Sequence, residues 1–233
     1  MSQLPLALHI YKMPTPTVEN YLKQILMVTL EENGPKVAMG KVSAELCVTP
    51  GTATSMAKNM ERDGWLTYYP RQGVSLTRKG RRVAMNMLRR HRLLETFLVE
   101  TLGLDWSEIH EEAEELEHAI SEKVLEKLDE FLGRPRYDPH GHPIPTRRGT
   151  IQRPSSQTLQ NCSTGMTVRV ESILDQETDF LKFARDKELL PGKRVLIISA
   201  EKLADVITLQ VEGSEPFSRG FRSAEKILVV SGN

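Results

Sequence analysis

Residues 48–77 of this chain read VTPGTATSMAKNMERDGWLTYYPRQGVSLT, and this stretch predicts a helix followed by a β-hairpin. Thr49 is a good N-cap, and Pro50 suits the first helical position because an N–H there would have no partner within the helix. Gly64 should end the helix. Two short β runs then flank a turn at residues 71–73, which is typical of a hairpin.

Two further helical segments precede this stretch. One opens at Pro16 and should stop at residues 33–35, and a short one fits residues 40–47. Helix, helix, helix and hairpin is the order of a winged helix-turn-helix, whose last helix lies in the major groove of DNA. From Lys58 to Arg92 the chain carries ten Lys and Arg against two Asp and Glu, a balance suited to a polyanion.

The candidate DNA contacts lie on the third helix, at the hairpin tip and at the start of the next helix. Short hydroxyls can meet base edges or phosphates, and cations neutralise phosphates. The alternative interpretation is a solvated basic face on an ordinary helical protein, since basic helices are common. The candidates are Thr49, Thr52, Thr54, Ser55, Lys58, Arg71, Gln72, Arg78 and Lys79.

The composition indicates a globular chain with more than one domain. Of its 233 residues 39% are hydrophobic and 27% charged, and the net charge is zero. Cys47 and Cys162 show no CxxC spacing, which argues against a disulfide scaffold and a cysteine-rich zinc site. No apolar run is long enough for a signal peptide or a membrane span, so we expect a cytoplasmic protein without a membrane partner.

An acidic stretch follows the basic one. From Leu93 to Gly133 the chain has thirteen Asp and Glu against two Lys, and its centre, residues 108–120, reads EIHEEAEELEHAI. Like charges three or four residues apart on a helix repel by roughly a few tenths of a kcal/mol per pair. Carboxylates and imidazoles without thiolates suit a hard or borderline divalent ion such as Mn²⁺ or Fe²⁺.

Helical geometry divides the acidic helix into faces. Its apolar stripe consists of Trp106, Ile109, Ala113, Leu116 and Ile120. The ligand-type side chains along one flank of that stripe are His110, Glu114, Glu117 and His118. The preceding helix supplies a similar pair one turn apart, His91 and Glu95. The alternative is a solvated acidic face with a capping histidine.

The remainder of the chain predicts a connector and a small β domain. Three helices should follow the hairpin, at about residues 78–102, 105–119 and 121–132. Residues 133–164 are rich in Arg, Pro, Gly and Ser and predict a linker, with His140 and His142 in a turn rather than in a ligand set. Four short β-rich runs after the linker predict a barrel of roughly 65–70 residues.

Six motifs occur in an order that resembles one family of proteins. They are TPTVENYLKQI, MERDGWL, LTRKGRR, RRHRLLETFL, IHEEAEELEHAIS and DPHGHPIP. As a set they resemble the diphtheria-toxin-repressor family of metal-dependent bacterial repressors, which has an iron-sensing and a manganese-sensing branch. The resemblance is close over residues 14–146. The C-terminal part is more loosely similar to the SH3-like domain of the iron-sensing members.

The resemblance implies two metal sites. The residues of the primary site are Asn20, Glu114, Glu117 and His118. Those of the ancillary site are His91, Glu95 and His110, to which the SH3-like domain can add Glu177. Glu114 stands where the iron-sensing branch has cysteine, and a carboxylate in place of a thiolate favours Mn²⁺. The complete ancillary set, by contrast, is as in the iron-sensing branch, so Fe²⁺ is the alternative.

These features predict a mainly α chain with a β-rich C-terminal domain. The predicted domains are a winged helix-turn-helix at 1–77, a helical metal-binding and dimerisation domain at 78–146, a linker at 147–164 and an SH3-like (FeoA-like) barrel at 165–233. The resemblance implies a homodimeric repressor that binds operator DNA when loaded with one or two Mn²⁺ or Fe²⁺ per subunit. Its expected targets are metal-uptake genes. We expect the ion to hold Asn20 to the acidic helix and so to set the pose of the DNA-binding heads.

Two other classes of protein remain open. A ferritin-like di-metal carboxylate enzyme needs Glu-x-x-His twice on facing helices, and the chain has it once, at Glu115 and His118. HExxH, a P-loop and a Gly-x-Ser-x-Gly elbow do not occur, so we expect no enzyme. A metal-storage protein would not need a winged head.

Overall fold

The structure is a computed structural model in which the chain divides into two compact units, residues 1–87 and 88–233. The described residues are 14–32, 34–152 and 155–232. Predictions that concern residues 1–13, Asn33, residues 153–154 or Asn233 therefore lie outside the described residues. Among the described helices, none is both long and apolar enough to cross a bilayer.

The first unit has the predicted order of helices followed by a hairpin. Its elements are α1 Pro16–Glu32, α2 Met39–Glu45, α3 Pro50–Arg62, β1 Leu66–Tyr69, β2 Gly73–Leu76 and the start of α4, Arg78–Glu100. The strands β1 and β2 pair antiparallel, with Leu66 opposite Leu76 and Tyr69 opposite Gly73. The predicted winged helix-turn-helix is confirmed.

Local chemistry explains why α3 and the hairpin form where they do. Thr49 caps α3, because its hydroxyl oxygen accepts the backbone N–H of Thr52 at 3.2 Å. The apolar residues Ala53, Ala57 and Met60, spaced three and four apart, bury the inner face of the helix. At Gly73 (φ +110°) a Cβ would lie 2.0 Å from the Val37 carbonyl oxygen, so only glycine fits.

The helical part of the second unit contains the rest of α4 and two shorter helices, α5 Ile109–Glu117 and α6 Glu122–Phe131. The prediction that the acidic helix starts near Asp105 is wrong. Asp105 Oδ1 accepts both the backbone N–H of Ser107 (3.0 Å) and its hydroxyl (2.7 Å), which makes a local turn that competes with the helix. The predicted cap of α6 is present, since Ser121 Oγ accepts the N–H of Val124 at 3.3 Å.

The C-terminal part of the second unit is a six-stranded antiparallel sheet with two helices. The elements are β3 Gln157–Thr158, β4 Thr167–Ile173, α7 Thr178–Asp186, β5 Arg194–Glu201, β6 Val206–Val211, β7 Phe217–Arg219, α8 Phe221–Glu225 and β8 Ile227–Ser231. The strand order is β3-β8-β4-β5-β6-β7. The predicted SH3-like domain is confirmed, but it starts before residue 165, because β3 pairs with β8 and Leu159 and Cys162 are buried in the core.

Within the second unit the sheet domain docks against the helical part. Trp106 belongs to the same buried cluster as Val170 and Leu181 of the sheet domain. The carbonyl oxygen of His140, in the connector after α6, accepts the N–H of Ile173 in β4 at 3.0 Å. Across the same junction Lys182 pairs with Glu108 at 2.8 Å. Around His140 the connector is therefore an ordered joint between the helical part and the sheet domain.

Candidate metal centre and nucleic-acid interface

Three predicted ligands converge between α4 and α5. His91 and Glu95 lie one turn apart on α4, and His110 lies in the first turn of α5. His91 Nε2 is 3.1 Å from Glu95 Oε1 and 3.1 Å from His110 Nδ1, and His110 Nδ1 is 3.5 Å from Glu95 Oε1. Adjacent ligand atoms about 2.1 Å from one ion lie about 3 Å apart, so this trio fits one face of a divalent metal's coordination shell.

Glu117 sets the tautomer of His91. Its Oε2 is 2.7 Å from His91 Nδ1, and the Glu117 carboxylate is fully buried. Because a carboxylate only accepts, Nδ1 carries a hydrogen, so Nε2, which faces Glu95 and His110, is the nitrogen of His91 that can bind a metal. A carboxylate behind a ligating imidazole is the usual support of a metal-bound histidine.

The charge state of Glu95 also suits a cation. Burial by itself raises the pKa of this carboxyl, but the adjacent His91 imidazole and hydrogen bonds from His110 and His91 outweigh burial and hold the pKa well below its usual range. Glu95 is therefore ionised at neutral pH. A buried carboxylate anion surrounded by imidazoles is the environment of a bound divalent cation rather than that of an uncharged protein core.

The remaining predicted ligands of α5 extend this set along one flank. Glu117 Oε1 is 3.8 Å from His118 Nε2, and His110 Nε2 is 3.9 Å from Glu114 Oε1. The structure thus brings together six predicted ligands: His91, Glu95, His110, Glu114, Glu117 and His118.

Two predicted ligands lie elsewhere. Asn20 belongs to the first unit, where its Oδ1 is buried and has no hydrogen-bond partner among the described residues. Glu177 is the exposed residue that precedes α7, and its backbone N–H donates to Asp175 Oδ1 at 2.9 Å. Glu177 is in neither of the ligand-type groups that the described residues form.

A second group of ligand-type side chains was assigned to a turn by the sequence and stands close together in the structure. It consists of Asp138, His140 and His142 in the connector. Asp138 Oδ1 accepts the backbone N–H groups of His140 and His142, each at 2.9 Å, and its Oδ2 is 3.4 Å from Arg92 Nε. The predicted turn at His140 and His142 is therefore present, and Asp138 closes it. The proximity of this turn to Glu95 was missed, since the two are far apart in sequence.

The predicted DNA contacts on α3 differ in how they are held. Ser55 and Lys58 are exposed along the helix. Thr49 and Thr52 bond to each other at 2.8 Å, and the Thr54 hydroxyl donates to the Pro50 carbonyl at 2.8 Å. The three threonine hydroxyls therefore also stabilise the N-terminus of α3. The Ser55 and Lys58 side chains are exposed to solvent.

At the wing, Arg71 and Gln72 occupy the predicted tip. Arg71 has a positive φ of 64°, and Gln72 Oε1 accepts a hydrogen bond from Lys36 Nζ at 2.5 Å. Lys36 also lies 4.1 Å from the centre of the Tyr69 ring. The sequence-based list omitted Lys36, because only the pairing of Val37 with the hairpin brings it to the tip.

At the start of α4 the two predicted cations behave differently. Arg78 is exposed. Lys79 donates to the Asp63 carbonyl at 2.9 Å, at the end of α3, and its Nζ is 3.6 Å from the centre of the Trp65 ring. Lys79 therefore stabilises the packing of the recognition helix, whereas the Arg78 side chain extends into solvent.

Family models match three consecutive parts of the chain. The matches are the N-terminal DNA-binding domain of iron-dependent repressors at residues 13–74, their metal-binding and dimerisation domain at 77–146, and the FeoA domain at 157–231. This combination defines a winged-helix regulator with a helical metal-binding domain and an SH3-like domain.

Individual relatives agree with the models. A solved manganese-dependent transcriptional repressor in complex with manganese is 34% identical, with a TM-score of 0.84, and the match covers 92% of this chain and 99% of that one. The iron-dependent repressor IdeR of Mycobacterium tuberculosis is 39% identical over 129 residues, 55% of each chain. An uncharacterised HTH-type regulator of Methanocaldococcus jannaschii is 39% identical over 116 residues, 50% of this chain and 92% of the relative.

The chain belongs to the family of iron- and manganese-dependent transcriptional repressors that includes IdeR and the diphtheria toxin repressor. The match with IdeR spans about half the length of that relative.

Proposed function

We propose that this protein is a transcriptional repressor that binds operator DNA when it is loaded with a divalent metal ion. The observation that carries the proposal is the trio of His91, Glu95 and His110, whose ligand atoms are spaced for one ion and of which His91 and Glu95 are buried. A metal-responsive helical domain on the same chain as a winged helix-turn-helix favours a regulator over an enzyme or a storage protein. Residence in the cytoplasm and the control of metal-uptake genes stay predictions.

The ion that we propose is Mn²⁺, with Fe²⁺ as the alternative and one or two ions per subunit. The ligand atoms of the trio are two imidazole nitrogens and a carboxylate oxygen, and the neighbouring Glu114 supplies a carboxylate where a thiolate would favour softer metals. When bound, the metal supplies positive charge that offsets the repulsion between buried and flanking carboxylates. Asn20, His118 and Glu177 stay predicted ligands.

Operator DNA is the proposed macromolecular partner. Exposed hydroxyls and cations on α3, the wing and the start of α4 offer base-edge and phosphate contacts. Metal that strengthens DNA binding must itself be bound more tightly in the presence of DNA, because coupling between two sites is reciprocal.

We propose a homodimer, so the operator should be roughly palindromic. The apolar side chains of Val124 and Phe131 on α6 are 56% and 68% exposed, which suits a face that a second copy covers. Leu125 on the same helix is fully buried and packs with Leu93 and Ile144. We therefore place the surface that contacts the second copy on the side of α6 that carries Val124 and Phe131.

Titration of a duplex from the gene's own promoter, with and without Mn²⁺, tests the function. We expect binding at least about tenfold tighter with Mn²⁺, a coupling of typical size. DNA binding that ignores the metal would contradict the proposal, and binding of metal without binding of DNA would favour storage.

Two variants separate the roles of the metal and the DNA residues. Lys58→Ala should weaken DNA binding and reduce its salt dependence by about one counterion, while metal affinity without DNA stays unchanged. Glu114→Cys should shift activation from Mn²⁺ toward Fe²⁺ or Co²⁺. An unchanged metal profile in Glu114→Cys would contradict a direct role for this carboxylate in metal selectivity.

A further inference from the structure

The segment between α1 and α2 pairs with the second strand of the wing. The backbone N–H of Val37 donates to the Val74 carbonyl at 2.8 Å, and the N–H of Val74 donates to the Val37 carbonyl at 2.9 Å. Two residues that exchange both bonds lie directly opposite each other in an antiparallel ladder. This pairing brings Lys36 within reach of the hairpin tip, although Lys36 and Gln72 are 36 residues apart in sequence.

Two uncharged groups hold the Lys36 ammonium group at the wing. Its Nζ lies 4.1 Å from the centre of the Tyr69 ring, within the range of a cation–π contact. Nζ also donates to Gln72 Oε1 at 2.5 Å. An ammonium group has three hydrogens to donate, and the bond to Gln72 uses one of them. The positive charge of Lys36 is therefore held in place without being neutralised by these contacts.

The sequence around this contact carries cations and no carboxylate. Residues 34–44 and 66–76 contain Lys36, Lys41 and Arg71 but neither Asp nor Glu. Lys41 lies within 4.0 Å of three carboxylates at the end of α1 and in α2, those of Glu31, Glu32 and Glu45. Among the ion pairs that the described residues form with one another, none includes Lys36. Two cations at a tip without a carboxylate favour a polyanionic partner.

We propose that Lys36 binds a phosphate of the DNA backbone, so that the wing contacts the backbone with two cations, Lys36 and Arg71. This inference rests on the proposed function, because it adds a contact to the same DNA interface. The Tyr69 ring and the Gln72 amide hold the ammonium group at the tip before DNA arrives. Less side-chain freedom is then lost on binding than for a lysine that moves freely in solvent.

The contact with Lys36 also limits what Gln72 can read. Because an ammonium group only donates, the Gln72 amide turns Oε1 toward Lys36 and Nε2 away from it. A glutamine that reads adenine uses both its oxygen and its nitrogen. Lys36 already occupies that oxygen, and adenine would bring a second donor to it. Donation from Nε2 to a phosphate oxygen meets no such competition, so the wing adds affinity without adding preference for a sequence.

Lys36→Gln tests the contact, because it removes the charge and keeps a polar side chain. Lys36→Arg keeps the charge. The matched control is Lys202→Gln, which removes one exposed cation from the sheet domain. Each full-length protein is loaded with Mn²⁺ and titrated, by fluorescence anisotropy, into a duplex from the gene's own promoter and into an unrelated duplex of equal length. The titrations are repeated at several NaCl concentrations.

We expect Lys36→Gln to weaken the binding of both duplexes by the same factor, about threefold or more. The slope of log K against log salt should fall by about one for each bound subunit. Lys36→Arg should keep the slope of the wild type, and Lys202→Gln should bind as the wild type does.

Three results would overturn the inference and leave the proposed function standing. The first is wild-type affinity in Lys36→Gln. The second is a loss confined to the promoter duplex, which would mean that Lys36 recognises bases. The third is an equal loss in Lys36→Gln and Lys36→Arg with the wild-type slope, which would mean that Lys36 only supports the wing. If the wild-type protein with Mn²⁺ did not bind the promoter duplex, the inference and the proposed function would both fail.

A measurement on the wild-type protein keeps the inference testable if Lys36→Gln does not fold. An amine-reactive acetylating reagent modifies exposed lysines, and mass spectrometry of the peptides follows each lysine separately. The promoter duplex should slow the modification of Lys36 several-fold and leave that of Lys202 unchanged. Equal rates at Lys36 with and without DNA would overturn the inference.

Discussion

Two groups of histidine and carboxylate side chains in the second unit have similar composition, but their carboxylates have different partners. In the trio, the ionised Glu95 carboxylate faces His91 Nε2 and His110 Nδ1, and the Glu117 carboxylate lies behind His91. In the connector, Asp138 uses its carboxylate to close a turn and to pair with Arg92. The partners of the carboxylate, rather than the types of residue present, separate a candidate metal site from a structural joint.

The largest effect should come from Gly141→Ala in the joint. Gly141 has φ +88°, and an added Cβ would lie 2.0 Å from the Glu171 carbonyl oxygen, so the backbone must move. We expect a loss of about 3–4 kcal/mol in the free energy of unfolding of the metal-free protein, measured by urea denaturation. Gly133→Ala is the control, because φ there is +73° with nothing within 4 Å, and it should cost only about 1 kcal/mol. Equal losses in both variants would argue against a tight joint.

Glu95→Gln tests the trio. Removal of the one anionic ligand should lower the affinity for Mn²⁺ about a hundredfold, because an amide oxygen lacks the charge that holds a hard cation. Asp138→Asn serves as the control, and its affinity should stay within about threefold of the wild type. Isothermal titration with Mn²⁺ measures both. A larger loss in Asp138→Asn would reverse the assignment of site and joint.

The same Asp138→Asn variant should nevertheless be less stable. Asn keeps an oxygen for the two backbone N–H groups but leaves the buried Arg92 without its anion, which should cost about 2 kcal/mol. Thermal unfolding at neutral pH, without metal, is the measurement. Glu130→Gln breaks an exposed ion pair with Lys127 and should leave the midpoint unchanged. A midpoint equal to that of the wild type in Asp138→Asn would contradict the structural role.

The smallest effect concerns the ion pair between Arg185 and Asp105 across the same junction. Hydrogen bonds from the Ser107 hydroxyl and backbone, and then the Arg185 charge, lower the pKa of Asp105. A lowered pKa in the folded state contributes stability above the unfolded pKa, and this stability is lost as the pH falls through the folded value. Arg185→Ala should cost about 0.5 kcal/mol at neutral pH, because the pair is half exposed. The difference in the free energy of unfolding from the wild type should vanish in acid. A difference that persists in acid would mean that Arg185 contributes through packing and not through its charge.

Local signals in the sequence predicted the first unit well. Thr49, Pro50 and Gly64 act within a few residues of themselves, so the bounds of α3 can be read from them. The start of α5 was misplaced because the short-range turn of Asp105 with Ser107 was overlooked and because the burial of Trp106 depends on the distant sheet domain.

Long-range contacts explain the other misses. Gln157 pairs with Val229 on β8, which converts the end of the predicted linker into a strand. For the candidate metal site, helical periodicity identified the ligand-type residues on α4 and on α5 separately. The family resemblance then assigned them to two metal sites. The approach of His140 to Glu95 has no local signature, because it depends on how the connector folds back over α4.

The indole of Trp106 rests on the imidazole of His140, and the chain has only one other tryptophan, Trp65. A protein with Trp65→Phe would therefore emit from a single tryptophan, in contact with a histidine whose Nδ1 lies 3.9 Å from Glu95 Oε1. Paramagnetic Mn²⁺ bound near Glu95 should quench that emission, so the fluorescence of Trp106 would report metal binding directly.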